Sequence, residues 1–252
     1  MNLLAFDTST DVMSIAVART VDGRVQQWQH TGVGGAQAST GLIAAILALM
    51  QEADLKFDTL DAICFGSGPG SFTGLRTACS VAQGLAFGAN VPVLPVASLL
   101  AVAEEARCAA LADEPRGEIT ALLDARMDEM YTASYAFEGD RWTEVQGSHL
   151  VRPEELQVTP AATALAGNVF TVYGERLPGL AAVGGVLRIT ALPSASALLR
   201  LAPGLLAQGR AVPAAQALPI YIRDKVAKTT EERAAEKVAA QALLLAQAAA
   251  AD

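Results

Sequence analysis

The stretch of sequence that decides the fold is Gly66-Ser67-Gly68-Pro69-Gly70-Ser71-Phe72-Thr73-Gly74-Leu75-Arg76. An apolar run over 61–65 precedes this stretch and is typical of a buried strand, and a segment rich in Ala, Gly and Leu over 73–88 predicts a helix. A strand, a glycine loop and a helix in this order point backbone N–H groups and the helix dipole at the loop, which favours anion binding. The alternative is a structural turn that lets the helix pack tightly.

The glycine loop does not match the known phosphate-binding motifs. A Walker loop ends in Gly-Lys-Ser/Thr, and no lysine lies between Lys56 and Lys225. A dinucleotide-binding fingerprint would need its third glycine where this chain has Ser71 or Thr73. Two roles therefore stay open for the loop: it contacts a ligand or partner, or it is a purely structural turn. The loop residues concerned are Gly66, Gly68, Pro69, Gly70, Ser71 and Arg76.

The composition predicts a soluble protein with a large core. The 252 residues are 52% hydrophobic and 17% charged, which is enough for two lobes. The net charge of −8 argues against a free-standing nucleic-acid binder, because phosphate affinity comes mainly from clustered Lys and Arg. A basic partner, or a basic subunit that supplies the RNA-binding surface, is compatible with this charge.

The cysteines and the apolar segments predict a cytoplasmic location. Cys64, Cys79 and Cys108 form no Cys-x-x-Cys pair and lie in apolar segments, which is typical of reduced, buried thiols in the cytosol. The longest apolar stretches, such as 42–50, are too short to span a bilayer, and Asp7 interrupts the first apolar run. We therefore expect no membrane association.

The order of predicted strands repeats along the chain. The first half has strands over 3–6, 12–19 and 24–29, with an Asp-containing turn after the first strand and Asp22-Gly23 as a hairpin turn. The second half repeats this order, and Asp124 and Met130 each follow Asp7 and Met13 by 117 residues. We interpret the pattern as an internal duplication.

The repeated pattern predicts an α/β fold with two βββαβα lobes. Helices are predicted over 39–53, 73–88 and 98–110, and a further helix over 194–208. The first lobe would span 1–110, with 218–252 packing back on it, and the second, less regular lobe would span 111–217. This is the two-lobed plan of the actin, sugar-kinase and Hsp70 superfamily (ASKHA, ribonuclease H-like), whose nucleotide lies between two hairpin turns.

The chain resembles the bacterial TsaB (YeaZ) family of tRNA threonylcarbamoyladenosine biosynthesis proteins. Its most specific match is the Gly-Pro-Gly-Ser-Phe-Thr-Gly block over 68–74. Further matches span nearly the whole chain: Leu4-Ala5-Phe6-Asp7-Thr8-Ser9-Thr10, Gln83-Gly84-Leu85-Ala86, Asp124-Ala125-Arg126 and Pro219-Ile220-Tyr221-Ile222-Arg223.

The resemblance implies a non-catalytic subunit. Its larger paralogue, TsaD, transfers threonylcarbamoyl to N6 of adenosine 37 in tRNAs that read ANN codons, and the small ATPase TsaE joins the pair. Family members form heterodimers with the paralogue, and homodimers when alone, through helices of the first lobe. The chain would have no cofactor of its own, ATP or ADP would bind at the level of the complex, and tRNA would be contacted only through the complex.

In this sequence the implied partner helices are 38–53 and 73–88. The predicted interface side chains are Leu42, Ile46, Leu49, Met50, Leu75, Ala78, Ala82 and Leu85. Many relatives carry a His-Ser pair where the first helix opens, whereas this chain has Gly34-Gly35-Ala36-Gln37-Ala38-Ser39. The apolar face of the helix is retained.

Asp7, Thr8 and Ser9 are candidates for a vestigial phosphate site, with a hairpin-closing Asx turn as the alternative. Active relatives commonly place Asp-x-Gly in the second hairpin, where this chain has Arg126, whose side chain would crowd a phosphate or pair with an anion. An ATP-dependent phosphotransferase is therefore the first alternative function.

A metal-dependent hydrolase is the second alternative. The paralogue holds a metal through His-x-x-x-His, but His30 and His149 are distant in sequence, so we predict no metal site. Ser71 is not part of a Gly-x-Ser-x-Gly elbow, which disfavours a peptidase. Arg223, Lys225 and Lys228 form a small basic cluster that either contacts tRNA or starts a solvated helix.

Overall fold

Two five-stranded mixed sheets form the framework of the computed structural model, which describes residues 1–177 and 185–223. The strands of the first sheet are β1 (Asn2–Asp7), β2 (Val12–Val21), β3 (Arg24–Val33), β4 (Ala62–Gly68) and β5 (Val93–Ala97). The strands of the second sheet are β6 (Arg116–Arg126), β7 (Glu129–Glu138), β8 (Arg141–Val151), β9 (Ala164–Gly167) and β10 (Leu187–Thr190). The helices are α1 (Ala38–Glu52), α2 (Phe72–Ala89), α3 (Ser98–Ala110), α4 (Phe170–Tyr173) and α5 (Ala195–Ala207).

The strand orders confirm the predicted duplication. The first sheet has the order β3-β2-β1-β4-β5, and the second has β8-β7-β6-β9-β10 when read in the matching direction. In each sheet the hairpin strands are antiparallel, and the following strand is parallel to the first, as in the pairs Phe6–Ile15 and Phe6–Phe65. The two-lobed α/β fold predicted from the sequence is therefore the observed one.

Helices α1 and α2 cover one face of the first sheet. Leu42 and Ile46 from α1 and Ala78 from α2 are fully buried with Phe6 and Ile15 of the sheet. β1 and β4 are buried on both faces, which explains why both strands are nearly continuous apolar runs. The two helices also contact each other, so their outward sides form one surface.

Helices α3 and α5 lie between the two sheets. Helix α3 packs against β6 and β7 of the second sheet, and α5 packs against β1, β2 and β4 of the first sheet. Leu99 of α3 and Leu198 of α5 share one buried cluster with Ile119 of the second sheet. The start of α3 therefore lies against the end of β1, where the first hairpin turn lies.

Some local predictions differ from the structure. Pro153–Glu155 form a single 3₁₀ turn, and the short helix α4 has no counterpart among the predicted helices. Cys108 is exposed, in contrast to the predicted burial of all three thiols, because it lies in the last turns of α3, beyond the part that the two sheets cover. Of the segment 218–252, which is predicted to pack back on the first lobe, the structure describes only 218–223.

The domain boundaries predicted at 110 and 217 stay predictions. Residues Met1–Ile222 form one compact unit that includes both sheets. Helix α5 and the Val93–Val212 bridge contact the first sheet, although the prediction assigned 195–217 to the second lobe. Within the described residues, no helix has the length and apolar character that crossing a bilayer requires.

Candidate functional site

The first hairpin turn, Asp7-Thr8-Ser9, is buried and fully bonded within the chain. One carboxylate oxygen of Asp7 accepts hydrogen bonds from the Ser9 N–H at 2.8 Å and the Ser9 hydroxyl at 2.6 Å. The other oxygen accepts from the Ser98 hydroxyl, at the start of α3, at 2.9 Å. The Thr8 hydroxyl donates to the Gly74 carbonyl at 2.7 Å. The three side chains are at most 2% exposed.

The glycine loop packs directly onto this turn. A Cβ added at Gly66 would lie 1.7 Å from a carboxylate oxygen of Asp7, and one added at Gly74 would lie 1.9 Å from the Thr8 carbonyl oxygen. The Ser71 N–H donates to the Ser9 carbonyl at 2.7 Å. Glycine is therefore required at Gly66, where a Cβ would overlap the Asp7 side chain, and at Gly74, where it would overlap the Thr8 backbone. This close packing favours the structural-turn interpretation of the loop.

Burial raises the pKa of the Asp7 carboxyl above its ordinary value, although the hydrogen bonds from Ser9 and Ser98 oppose this effect. The groups that would contact a phosphate in a superfamily ATPase are thus engaged by the chain itself. As a phosphate site, Asp7, Thr8 and Ser9 stay a prediction. In the described conformation, they join the end of β1 to α3 and to the glycine loop.

The second hairpin turn is built differently. Asp124 accepts hydrogen bonds from the Arg126 N–H at 2.8 Å and the Tyr173 hydroxyl at 3.0 Å, and its own N–H donates to Asn168 at 2.9 Å. Arg126, Met127 and Asp128 all have positive φ, between 55° and 64°. Three consecutive non-glycine residues in the left-handed region are strained, so this turn stores conformational energy that the surrounding contacts must offset.

Arg126 joins the two turns. Its guanidinium lies 2.6 Å from Asp11 of the first hairpin and 3.3 Å from Asp124 of the second. The sequence left two roles open for the Arg126 side chain, namely crowding of a phosphate or pairing with an anion. In the structure it pairs with two carboxylates of the chain. The Arg126 and Asp11 side chains are 69% and 82% exposed, so solvent screens their ion pair and it contributes little stability.

A second ion-pair cluster fixes the far side of this turn. Arg176 pairs with Asp128 and with Glu154. The guanidinium holds the pKa of both carboxyl groups below their ordinary values, chiefly through the hydrogen bonds it donates. The second turn therefore displays solvated charge, in contrast to the sealed first turn.

Arg76, at the start of α2, stacks on the Phe72 ring and contacts Tyr221. Its guanidinium carbon lies 3.8 Å from the centre of the Phe72 ring and 5.9 Å from that of Tyr221, and its Nε donates to the Tyr221 hydroxyl at 3.0 Å. The Ile220 N–H donates to the Ser67 carbonyl at 2.7 Å. Residues 220–221 thus clamp the glycine loop from outside.

The predicted partner interface needs a correction. Leu42, Ile46, Leu49, Met50, Leu75, Ala78 and Ala82 are all at most 5% exposed. They pack inside the chain's own core, so they are not available to a partner. The prediction chose the more hydrophobic face of each helix, and that face covers the sheet. Leu85 alone of the predicted set is half-buried.

The outward side of the same helices carries different residues, and we call it the outer helix face. On α1 it presents Ile43 and Leu47, 51% and 52% exposed, with alanines beside them. On α2 it presents small residues and one large side chain: Thr73, Ser80, Gly84, Phe87 and Gly88. No charged residue occurs over 38–51 or 77–90.

A groove adjoins the outer helix face at the end of α2. Its volume is about 440 Å³, and its lining includes Gly84, Leu85 and Gly88 from α2, and Lys56 and Phe57 from the segment before β4. A Cβ added at Gly84 or Gly88 would contact nothing within 4 Å. The glycines therefore serve no internal packing, and they leave room for a side chain from outside.

Metal ligands do not come together in the described residues 1–177 and 185–223, where no three His, Cys, Asp or Glu side chains could hold one ion. His30 lies on β3 and His149 on β8, where its Nδ1 is 2.9 Å from the Gly147 carbonyl. The absence of a metal site stays a prediction.

The chain is similar to proteins of one family over most of its length. It is 30% identical over 240 residues to the tRNA threonylcarbamoyladenosine biosynthesis protein TsaB of Haemophilus influenzae, covering 90% of this chain and 95% of that protein. It is 31% identical over 233 residues to TsaB of Escherichia coli, with 90% and 96% coverage. The structure of YeaZ from Pseudomonas aeruginosa matches with a TM-score of 0.76 and 36% identity, covering 87% of this chain and 99% of that one.

The chain belongs to the TsaB (YeaZ) family. The family model described as TsaD, tRNA N6-adenosine threonylcarbamoyltransferase, also matches residues 36–251. The resemblance drawn from the Gly-Pro-Gly-Ser-Phe-Thr-Gly block is confirmed.

Sequence reasoning missed several residues that shape the two turns. Ser98, Asn168 and Tyr173 each bond an aspartate of a turn, and Asp11 pairs with Arg126. Ser98 lies 91 residues from Asp7, so no local pattern links them. The only signal was its position as the first residue of a predicted helix.

Proposed function

We propose that this chain is a non-catalytic subunit in tRNA threonylcarbamoyladenosine biosynthesis. It would act as a scaffold and activator of a TsaD-type paralogue that transfers threonylcarbamoyl to N6 of adenosine 37, together with a TsaE-type ATPase. Membership of the TsaB family and the printed names of its relatives support the pathway. The structure supports the mode of action through the features below.

The observation that carries the proposal is the outer helix face. Ile43 and Leu47 protrude from α1, and beside them the small residues Ser80, Gly84 and Gly88 form a shallow strip on α2. Surface helices normally carry charged residues on their solvent side, and these two carry none over 38–51 and 77–90. A contiguous uncharged, partly apolar surface is typical of a protein interface.

The geometry of this face suits helix-on-helix packing. Large residues on one helix fit into grooves between small residues on another, and small residues let helix axes approach to roughly 8 Å. Ile43 and Leu47 would supply the protruding residues, and the strip at Gly84 and Gly88 would receive the partner's. A stable interface of this kind buries on the order of 1,600 Å².

The match to the TsaD family model bears on the choice of partner. It indicates common descent with the paralogue. A paralogue with the same lobe would present a similar pair of helices, so the heterodimer would be a pseudo-symmetric version of an isologous homodimer. We therefore propose that one face serves both the TsaD-type partner and, when the chain is alone, a second copy.

The charge distribution supports an indirect role in tRNA binding. The chain has a net charge of −8, and tRNA affinity depends on clustered Lys and Arg. In the basic cluster proposed from the sequence, Lys225 and Lys228 lie outside the described residues. We propose that the partner supplies the main tRNA-binding surface.

A working nucleotide site finds less support. Both carboxylate oxygens of Asp7 are bonded by the chain's own serines, and Arg126 spans the gap between the two turns. A phosphotransferase would have to break these contacts before binding phosphate. Turnover of ATP by the purified chain, lost on Asp7→Ala, would favour that alternative over ours.

The test is reconstitution of tRNA modification from purified chain, TsaD-type paralogue, TsaE-type ATPase and threonylcarbamoyl-adenylate. The variant Ile43→Glu/Leu47→Glu places two charges on the outer helix face. We expect loss of modification by at least about 100-fold, because two buried unpaired carboxylates cost several kcal/mol. The matched control is Val25→Glu, at a valine that is 67% exposed on β3.

Unchanged modification by the double variant, with a normal circular dichroism spectrum, would reject the outer helix face as the working surface. Loss of modification by the Val25→Glu control as well would point to a general effect of added charge rather than to this face. A raised concentration of the double variant itself should restore modification if pairing alone is impaired, because mass action then repopulates the complex.

A further inference from the structure

A second cavity lies between β5, α3, α5 and the β7–β8 hairpin, away from the turns that contain Asp7 and Asp124. Its volume is about 230 Å³. Leu100, Leu201 and Leu205 contribute apolar side chains to its lining. Sites for drug-sized ligands measure about 300–1,000 Å³, so this cavity suits a smaller molecule.

Two aromatic rings form a rigid wall of the cavity. Tyr135 and Trp142 pack edge to face, with ring centres 6.4 Å apart and planes at 88°. The Trp142 Nε1–H donates to Glu104 at 3.1 Å, and Glu104 is itself held by Arg107 and Arg200. The wall is therefore preorganised, which reduces the entropy lost on binding.

One buried polar group in this wall is unsatisfied. The Tyr135 hydroxyl is shielded from solvent and makes no hydrogen bond of full geometry with any described residue, although Ser148 is close. Buried hydroxyl groups normally have a hydrogen-bond partner, and leaving one unpaired is unfavourable.

Charges of both signs line the same cavity without neutralising each other. Arg210, Asp140 and Glu144 all belong to its lining, and all three are exposed to solvent. Asp140 has only a long contact of 3.8 Å to Arg107, and within the described chain no ion pair joins Arg210 to either carboxylate. A molecule that carries a cation and an anion on a short apolar body would satisfy both.

We propose that this cavity binds a free α-amino acid with an aliphatic side chain of about the size of leucine. Arg210 binds the carboxylate, Glu144 and Asp140 attract the ammonium group, and the side chain lies against Leu100, Leu201 and the Trp142 ring. The small volume, the apolar lining and the presence of charged residues of both signs each fit this class of ligand.

The test uses the fluorescence of Trp142. The chain has two tryptophans, so Trp28→Phe leaves Trp142 as the only reporter. Titration with L-leucine should change its emission saturably. 3-Methylbutylamine, which lacks the carboxylate, and 4-methylpentanoate, which lacks the ammonium group, should each bind at least about tenfold more weakly, since each loses one ionic contact.

Two variants locate the site. Gly204 lines the cavity, and a Cβ added there would contact nothing within 4 Å, so Gly204→Leu fills the space without a clash and should abolish binding. Ala207→Leu introduces the same side chain at an exposed position on the same helix and should bind normally. Arg210→Gln should remove the preference for L-leucine over 3-methylbutylamine.

No change of Trp142 emission with L-leucine, confirmed by isothermal titration calorimetry on the wild-type chain, would overturn the proposal. Binding that survives Gly204→Leu, or that does not distinguish L-leucine from 4-methylpentanoate, would overturn it equally. Neither result depends on pairing with the paralogue or on tRNA modification.

Discussion

The first hairpin turn and the outer helix face use their residues in opposite ways. At the turn, every oxygen of Asp7 accepts a hydrogen bond from Ser9 or Ser98, and the glycine loop seals the turn from outside. At the outer helix face, Ile43 and Leu47 are half exposed, and a Cβ added at Gly84 or Gly88 would contact nothing within 4 Å. The turn that the sequence proposed as a phosphate site has the polar groups of its side chains bonded within the chain. The outer helix face, in contrast, leaves large apolar side chains open to solvent.

This contrast shows where in the chain an external partner would gain most. A ligand at the turn would have to replace bonds that already exist, whereas a partner at the helix face would bury apolar surface at about 25 cal/mol per Å². Variants that change only the first hairpin turn or only the outer helix face test which of the two is the working surface.

The largest expected effect is a difference in the free energy of unfolding between variants at two neighbouring positions of α1. Leu42 is fully buried, so Leu42→Glu should lower the free energy of unfolding by more than about 4 kcal/mol, because it buries an unpaired carboxylate. Ile43→Glu should change it by less than about 1 kcal/mol. Urea unfolding followed by circular dichroism measures both, and equal losses at the two positions would contradict the assigned faces.

The next largest effect is a difference in stability between alanine variants of two glycines of α2. Gly74→Ala should destabilise the chain by about 2–4 kcal/mol, because its Cβ would lie 1.9 Å from the Thr8 carbonyl oxygen and the loop would have to move. Gly84→Ala meets no atom and should stabilise the helix by up to about 1 kcal/mol. Thermal unfolding of both variants tests the close packing of loop and turn.

The pH dependence of stability should have opposite signs at the two turns. Burial raises the pKa of Asp7 above its ordinary value of 3.8, so the folded state keeps this proton while the unfolded state loses it, and stability falls as the pH rises through that window. Asp7→Asn should remove this fall, so its stability relative to wild type should increase with pH.

Asp128 is the matched case in the second turn. Arg176 lowers the pKa of Asp128, so its contribution is present above the ordinary pKa and is lost as the pH falls. Asp128→Asn should therefore be less stable than wild type near neutrality and equal to it at low pH. Urea unfolding between about pH 2 and pH 8 compares the two variants, because the contribution of Asp128 is lost only below its ordinary pKa of 3.8. Parallel profiles would contradict the contrast between a sealed and a solvated turn.

The smallest effect concerns Arg126. Arg126→Gly removes an exposed ion pair worth less than about 1 kcal/mol and relieves a left-handed φ of 62°, so the net change in stability should be within about 1 kcal/mol. The variant also restores the Asp-x-Gly pattern of active relatives. We expect it to remain without ATP turnover, because Asp7 stays sealed. Turnover in a phosphate-release assay would show that Arg126 alone blocks the site.

The sequence was sufficient for the fold because the fold depends on periodic patterns. The repeat of strand, Asp turn and strand at an offset of 117 residues predicted both sheets, and Asp22-Gly23 predicted the first hairpin. The glycine block was also informative, since Gly66 and Gly74 are needed for the close packing of the loop on the Asp7 side chain and the Thr8 backbone.

The sequence was insufficient for the site because side-chain direction depends on tertiary packing. Both faces of α1 are apolar, so periodicity did not distinguish Leu42, which packs on the sheet, from Ile43, which faces solvent. The contacts of Asp7 with Ser98 and of Asp11 with Arg126 join residues 91 and 115 positions apart. Such pairs are defined only when both sheets are assembled.

The most direct test of the account is the affinity of the TsaD-type paralogue for three forms of this chain, measured by isothermal titration calorimetry. Wild type and Asp7→Asn should bind equally well, because the turn takes no part in pairing. Leu47→Glu should bind at least about 100-fold more weakly, a loss of about 2.7 kcal/mol. Full affinity of Leu47→Glu combined with lost affinity of Asp7→Asn would place the working surface at the turn and contradict the account.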